Sequence, residues 1–383
     1  MTLTREDALH VAIDGSRVRR VEAALCIAAP WLLVATAAML AACASGPPAS
    51  KEEASFAVDE APAAPNAQMQ AVLDQLAAFG NEPTVNLSAP AARAQPALPD
   101  AMSALLQARG RSTLPEVVAR VENHLILDAD ATAMPVRVYW PPGDGPHPVL
   151  LYFHGGGWVL GDLEQGDAAA RALNNAARVI VVAPHYRQGP EHRFPAAHGD
   201  AWAAYRWTLA NAASFGGDPA RVAVGGEGAG GNLAARVAIR ARDEGTPLPV
   251  HQLLVYPITD VGLDTPSHRQ YIDARPLGTR QLPWFFSHYL RSPIEGTDAA
   301  FSVLRTPDFA GLPAATVITA EIDPLRWQGQ AYAERLRSAG VAVDYRNYPG
   351  VAHGFFGLGR VVDQANEAVL QAARGLRQAF GQP

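Results

Sequence analysis

Lysine is almost absent from this 383-residue chain: of its 31 basic residues, Lys51 alone is a lysine. Beyond residue 51 there is no amine for a Schiff base, a pyridoxal linkage or a P-loop phosphate clamp, so mechanisms that need one inside the fold are excluded. Long runs of basic charge are also lacking, and the net charge is −6. These features exclude a nucleic-acid binder of the usual basic kind.

Cysteine is equally scarce, since Cys26 and Cys43 are the whole complement. The chain after residue 43 therefore has neither a disulfide framework nor a cysteine-based metal site. Its other side chains show no metal-ligand spacing, and we predict no metal and no cofactor. At 18%, charged residues are few, while glycine and proline are spread along the chain. This composition is typical of a globular, loop-rich α/β protein.

The N-terminal segment combines charge and apolar residues in the order of an export signal. Arg17, Arg19 and Arg20 precede an uncharged run over 23–43 that ends in Leu40-Ala41-Ala42-Cys43. A basic segment followed by an apolar one is typical of a signal peptide, and this ending resembles a bacterial lipobox. We therefore predict a signal peptide over 1–42, a lipid on Cys43 that anchors the chain to a membrane, and a place in the bacterial cell envelope on the periplasmic side.

Two alternatives remain for this segment. Cleavage after Ala44 would give a secreted protein without a lipid, and an uncleaved run over 23–43 is long enough to span a membrane, although it contains Pro30. Residues 43–65 are rich in Ala, Pro, Ser and Glu and lack apolar periodicity, which predicts a flexible tether.

Strand and helix patterns alternate through the domain predicted over 66–381. Helical spacing starts near Asn66, and several strands, such as 149–153 and 179–182, are continuously apolar, which is typical of strands in a parallel sheet with helices on both faces. The pattern predicts a doubly wound α/β domain. Predicted strands are 119–127, 135–140, 148–153, 178–184, 221–225, 251–256, 315–320 and 342–348; predicted helices are 101–109, 166–176, 199–213, 229–242, 326–339 and 361–379.

Two glycine-rich motifs follow predicted strands. His154-Gly155-Gly156-Gly157-Trp158 can bring backbone N–H groups close to a ligand and so form an anion-stabilising pocket. The run from Val222 to Asn232 passes from a strand through Gly226-Glu227-Gly228-Ala229-Gly230 into a helix, which is the layout of a nucleophile elbow.

An acid and a histidine complete the pattern. Asp323 follows one predicted strand and His353 follows the last, and the order elbow, acid, histidine is the one expected of an α/β-hydrolase. From about residue 66 onward the chain resembles the bacterial hormone-sensitive-lipase-like esterases. The matching segments are 154–158, 186–192, 194–197, 216–219, the elbow, 323–325 and 353–355.

The resemblance implies an α/β-hydrolase fold, a mostly parallel twisted sheet flanked by helices, with a helical cap from about 66–115 and 262–296. It implies hydrolysis of carboxylic esters without metal or cofactor. It also implies an oxyanion hole made by the N–H groups of Gly156, Gly157 and Ala229, with His353 as general base and acid and Asp323 as its orienting partner.

Gly228 departs from the family pattern, because it stands where the family has its nucleophilic serine, and no serine of this chain lies at the centre of a Gly-x-Ser-x-Gly. Glu227 is expected to point away from the substrate side and is a poor substitute. Three functions remain open: an ordinary esterase, an inactive homologue that binds or senses a small apolar ester or acyl ligand, and a largely structural envelope lipoprotein.

Overall fold

The alternation of strands and helices is present in the computed structural model of the protein, which describes residues 62–127 and 133–382. The predicted signal peptide, the lipidation site Cys43 and the tether up to residue 61 lie outside the described residues. Pro62 to Pro65 precede the first helix without regular structure. That helix begins where the sequence predicts, since the Asn66 side chain accepts a hydrogen bond from the Met69 N–H at 2.9 Å and caps it.

Eight strands form one sheet in the order β1-β2-β4-β3-β5-β6-β7-β8. The strand β2 is antiparallel to β1 and β4, and all pairs from β4 to β8 are parallel, so the predicted mostly parallel sheet is confirmed. The strands are β1 Arg120–Leu127, β2 Ala133–Trp140, β3 His147–Phe153, β4 Ile180–Pro184, β5 Gly217–Glu227, β6 Gln252–Val255, β7 Ala315–Ile322 and β8 Val343–Ala352.

Ten α-helices are present in the described residues. They are α1 Ala67–Ala78, α2 Ala89–Arg93, α3 Leu98–Ala108, α4 Asp167–Ala177, α5 Ala196–Asn211, α6 Ala229–Asp243, α7 Pro266–Gln270, α8 Leu282–Tyr289, α9 Arg326–Ser338 and α10 Asp363–Ala379. The helices α4 and α10 pack on one face of the sheet, and α5, α6 and α9 pack on the other.

Strand β3 explains why the central strands are apolar without alternation. Leu151 points into the core shared with α5, α6 and α9, whereas Leu150 and Tyr152 point into the core shared with α4 and α10. All three side chains are almost fully buried. A strand with helices on both faces has no side exposed to water, and each of its positions must be apolar.

The segments 66–115 and 262–296 lie over the carboxyl ends of the strands, and both contribute side chains to the cavity described below. Arg93, the last residue of α2, fixes one of these segments to the domain. Its guanidinium donates to the carbonyl oxygens of Val159 and Gly189 and pairs with both carboxylate oxygens of Glu191. This ion pair holds the pKa of the Glu191 carboxyl at about 2. The helix α2, at five residues, is too short to be stable alone, so these bonds hold it in place.

Candidate active site

The turn after β5 has the backbone of a nucleophile elbow. Gly228 adopts φ 53° and ψ −111°, a conformation that strains any residue with a side chain. Its N–H donates to the Val255 carbonyl at 3.0 Å, and its carbonyl accepts from Asn232 at 3.1 Å as α6 begins. Gly230 lies so close to β3 that a Cβ there would overlap the carbonyl oxygens of Phe153 and His154. The local glycine pattern therefore follows from the tightness of this turn.

Gly228 faces His353 across an open space. A Cβ built on Gly228 would lie 3.5 Å from His353 Nε2 and 3.6 Å from Cε1, which is ordinary van der Waals contact. The position is therefore restricted by its backbone angles and not by crowding. A side chain larger than glycine fits there without moving the histidine.

His353 and Asp323 are brought together by the ends of β8 and β7. His353 Nδ1 lies 2.8 Å from Asp323 Oδ2. The carboxylate is fully buried, and its other oxygen accepts the Leu325 N–H at 2.8 Å. An ionised carboxylate only accepts hydrogen bonds, so Nδ1 carries the proton and Nε2 is left facing Gly228.

The glycine loop after β3 lines the same cavity as Gly228 and Ala229. No backbone oxygen of the described residues accepts a hydrogen bond from the N–H groups of Gly156, Gly157 or Ala229. Gly156 has φ 109°, and a Cβ there would overlap the Leu160 carbonyl. The three N–H groups proposed from the sequence thus border one cavity and are free to bind an oxygen of a ligand.

Gln188 holds the far end of this loop. Its buried amide donates to the carbonyl oxygens of Leu160 at 2.7 Å and Gly161 at 2.8 Å. His154 lies on the loop's other side, where its Nδ1 is 2.7 Å from the Gly155 carbonyl and its ring stacks on Tyr186 at 4.4 Å. Burial lowers the pKa of His154 to about 4, so at neutral pH the imidazole is uncharged and Nδ1 donates that hydrogen bond.

Sequence reasoning missed a group of tyrosines under the histidine. Tyr256, directly after β6, has φ 34° and its ring lies 4.5 Å from that of His353. Its hydroxyl donates to Glu227, as does the Tyr152 hydroxyl at 2.8 Å. Burial raises the pKa of the Glu227 carboxyl, and the two hydroxyl donors oppose that rise. The carboxylate is engaged by these tyrosines and is not free to attack a substrate. The sequence signal for Tyr256 is a polar residue at the end of the predicted strand 251–256, but that signal does not place the ring under His353.

The cavity above Gly228 has a volume of about 320 Å³ and is bordered by both cap segments. The aromatic run after residue 281 divides between two roles. Leu282, Phe285 and Phe286 line the cavity, and Phe285 lies against Gly157. Trp284 instead packs within the cap, where its Nε1 donates to the Leu87 carbonyl at 3.0 Å. The aromatic run therefore contributes both to the wall of the cavity and to packing within the cap.

A sequence model of a protein family described as having the alpha/beta hydrolase fold matches residues 150–357. This chain belongs to that alpha/beta-hydrolase family. Among curated relatives of this chain, Carboxylesterase NlhH of Mycobacterium tuberculosis is 43% identical over 271 residues, which are 70% of this chain and 84% of the relative. Ethyl acetate hydrolase of Pseudomonas putida is 36% identical over 273 residues, 70% of this chain and 85% of that protein.

Solved structures agree with this family assignment. An ester-hydrolase from the metagenome of Lake Arreo, solved with a derivative of bipyridine phosphonate, is 38% identical with a TM-score of 0.74; the match covers 82% of this chain and 99% of that chain. The hyperthermophilic esterase of Pyrobaculum calidifontis is 34% identical with a TM-score of 0.75, covering 83% and 99%. The α/β-hydrolase fold predicted from the sequence is confirmed.

The part of the chain that the structure describes contains neither a metal-binding cluster nor a membrane-spanning helix. Across residues 62–127 and 133–382, no group of three or more His, Cys, Asp and Glu side chains is arranged to hold a metal ion. Within the same residues, no helix has the length and apolar character needed to cross a membrane.

The conformation of Gly228 predicts a cost for any side chain at the elbow. Gly228→Ala should lower the free energy of unfolding, because the backbone strain of about 1–3 kcal/mol exceeds the roughly 0.5–1 kcal/mol of chain entropy that alanine recovers. Urea denaturation measures the difference. Gly199→Ala, on an exposed helical position with open space around the added methyl, is the matched control and should stabilise instead. A Gly228→Ala protein as stable as the Gly199→Ala protein would contradict the strain argument.

Proposed function

We propose that this protein is a carboxylic ester hydrolase by descent that binds a small ester or acyl ligand and turns it over slowly or not at all. The observation that carries the proposal is Gly228, at the apex of the elbow and facing His353. Glycine has no atom that can form an acyl-enzyme, and removing the nucleophile of a serine hydrolase costs on the order of 10⁶ in kcat. In this proposal Gly228 replaces the serine of the active relatives.

The remaining groups support binding and a weak reaction with water. Three free N–H groups are placed for a carbonyl oxygen, and the cavity offers apolar side chains for an acyl chain. His353 Nε2 can accept a proton from a water molecule in the space beside Gly228, while Asp323 holds the ring in the required tautomer. A site with its oxyanion hole but without its nucleophile keeps roughly 10³–10⁴-fold acceleration over uncatalysed water.

Hydrolysis of p-nitrophenyl butyrate tests this function. The protein should act far below the speed of an active esterase, and His353→Ala should lower the rate further by removing general-base attack of water, leaving only the acceleration due to the oxyanion hole and binding. His124→Ala, which removes an exposed imidazole on β1, is the control and should leave the rate unchanged. Turnover at the speed of an active esterase, insensitive to His353→Ala, would overturn both the function and the site.

We further propose that the protein works in the bacterial envelope, anchored by a lipid on Cys43. The support is the sequence Leu40-Ala41-Ala42-Cys43 after an apolar run. Cys43→Ala should leave an unprocessed precursor and abolish incorporation of labelled palmitate in the expressing bacterium. Cys26→Ala, which removes the other cysteine, should be processed and lipidated normally. If the Cys43→Ala protein is cleaved and labelled like the unmodified one, the anchor is not on this residue.

A further inference from the structure

We infer that the preferred ligand of this cavity is a carboxylate with a medium-length apolar chain, in preference to the neutral ester. The inference rests on the proposed function, because it needs an elbow without a nucleophile. It starts from the space between Gly228 and His353 Nε2, which an active esterase would fill with a hydroxyl, and which lies next to the N–H groups of Gly156, Gly157 and Ala229.

A carboxylate uses both sides of this space. One oxygen accepts hydrogen bonds from the free N–H groups, and the second takes the place of the missing hydroxyl and bonds to His353 Nε2. An ester presents a neutral carbonyl to the N–H groups, and its second oxygen carries an alkyl group and no charge. Hydrogen bonds to an ionised acceptor are roughly twice as strong as those between neutral groups, so the acid should bind more tightly than its own ester.

The bond to His353 requires one proton. Nδ1 already donates to Asp323, so Nε2 of the neutral ring is an acceptor and would repel a carboxylate. Binding therefore takes up a proton, either onto Nε2 or onto the ligand. The ionisable groups that face His353 are Asp323, Glu227 and Tyr256. By linkage, the affinity for the acid should fall as pH rises, whereas the affinity for the ester should not.

The side chains that line the remainder of the cavity determine the chemical character of the rest of the ligand. Leu76, Leu277, Leu282 and Phe285 line it, together with Ile258 near the elbow. The one arginine on its wall, Arg93, is bound to Glu191 and two carbonyl oxygens. Because its guanidinium already donates to these partners, we do not expect Arg93 to bind a second carboxylate. The ligand therefore has one acidic end and an otherwise apolar body.

Isothermal titration calorimetry with octanoate and methyl octanoate tests this inference on the unmodified protein. At pH 6 octanoate should bind about tenfold more tightly than its methyl ester. Titrations at pH 8, where an ordinary imidazole is neutral, in buffers of different ionisation enthalpy should report about one proton taken up per octanoate and none per ester. His353→Gln should remove the proton uptake, because its amide can donate to the carboxylate without titrating. His124→Ala should change neither the preference nor the proton uptake.

The outcomes separate this inference from the proposed function. Equal affinity for acid and ester, or octanoate binding without proton uptake, would overturn the carboxylate inference and leave an ester-binding hydrolase relative standing. Fast hydrolysis of p-nitrophenyl butyrate by the unmodified protein would overturn the proposed function, whatever the calorimetry shows. If His353→Gln fails to fold, proton uptake by the unmodified protein alone still decides the matter.

Discussion

Gly228→Ser should raise the rate of p-nitrophenyl butyrate hydrolysis by at least about three orders of magnitude, because loss of a serine nucleophile costs up to about 10⁶ in kcat. The serine Cβ would lie 3.5 Å from His353 Nε2, which puts its hydroxyl within hydrogen-bonding reach of the base. The Asp323–His353 pair and the three free N–H groups are already in place.

Gly228→Ala is the matched control, since it imposes the same backbone strain without a nucleophile, and it should stay at the rate of the unmodified protein. The double variant Gly228→Ser/His353→Ala should lose the gain. A serine variant that unfolds cooperatively, like the unmodified protein, yet hydrolyses no faster would show that the cavity or the oxyanion hole is unable to bind an ester productively.

Asp323→Asn, made in the Gly228→Ser protein, should lower kcat by about 10⁴, the loss seen when the orienting aspartate of a serine protease becomes an amide. The hydrogen-bond partners of the Asp323 carboxylate determine how the asparagine amide is oriented. One carboxylate oxygen accepts the Leu325 N–H, so the amide oxygen of asparagine should keep that bond and turn its NH₂ toward His353 Nδ1. Nδ1 must then accept, Nε2 carries the proton, and the histidine no longer takes a proton from serine.

Stopped-flow or initial-rate measurements across pH check this result. Asp264→Asn, at an exposed residue paired with Arg269, should leave the rate unchanged. A loss smaller than tenfold in the Asp323→Asn protein would mean that His353 is oriented by another group.

The central elements could be predicted from the sequence because they are buried on both faces. Helix α6 was predicted over 229–242 and spans Ala229–Asp243, and β3 was predicted over 148–153 and spans His147–Phe153. A continuous apolar run bounded by glycine leaves few alternative positions for the two ends of a buried element. Asp323 and His353 could be placed because the ends of parallel strands meet at one edge of the sheet.

The short cap helices were not predicted, and α2, α7 and α8 show why. Each has five to eight residues, and such segments depend on bonds to distant parts of the chain, as Arg93 illustrates. Contacts between residues far apart in sequence also explain why the tyrosines under His353 were not predicted. The positive φ of Tyr256 and its place under His353 depend on Glu227 and on the end of β8, and no local pattern encodes that combination.

The room around Gly228 has a genetic consequence. Glycine codons that end in a pyrimidine differ from serine codons by a single base, and the space beside His353 accepts the larger side chain without further change. The reverse exchange, from serine to glycine, relieves the strained turn and so meets no resistance from folding. Without selection for activity, exchange at this position is therefore expected to favour glycine, while a glycine codon that ends in a pyrimidine keeps serine one base away.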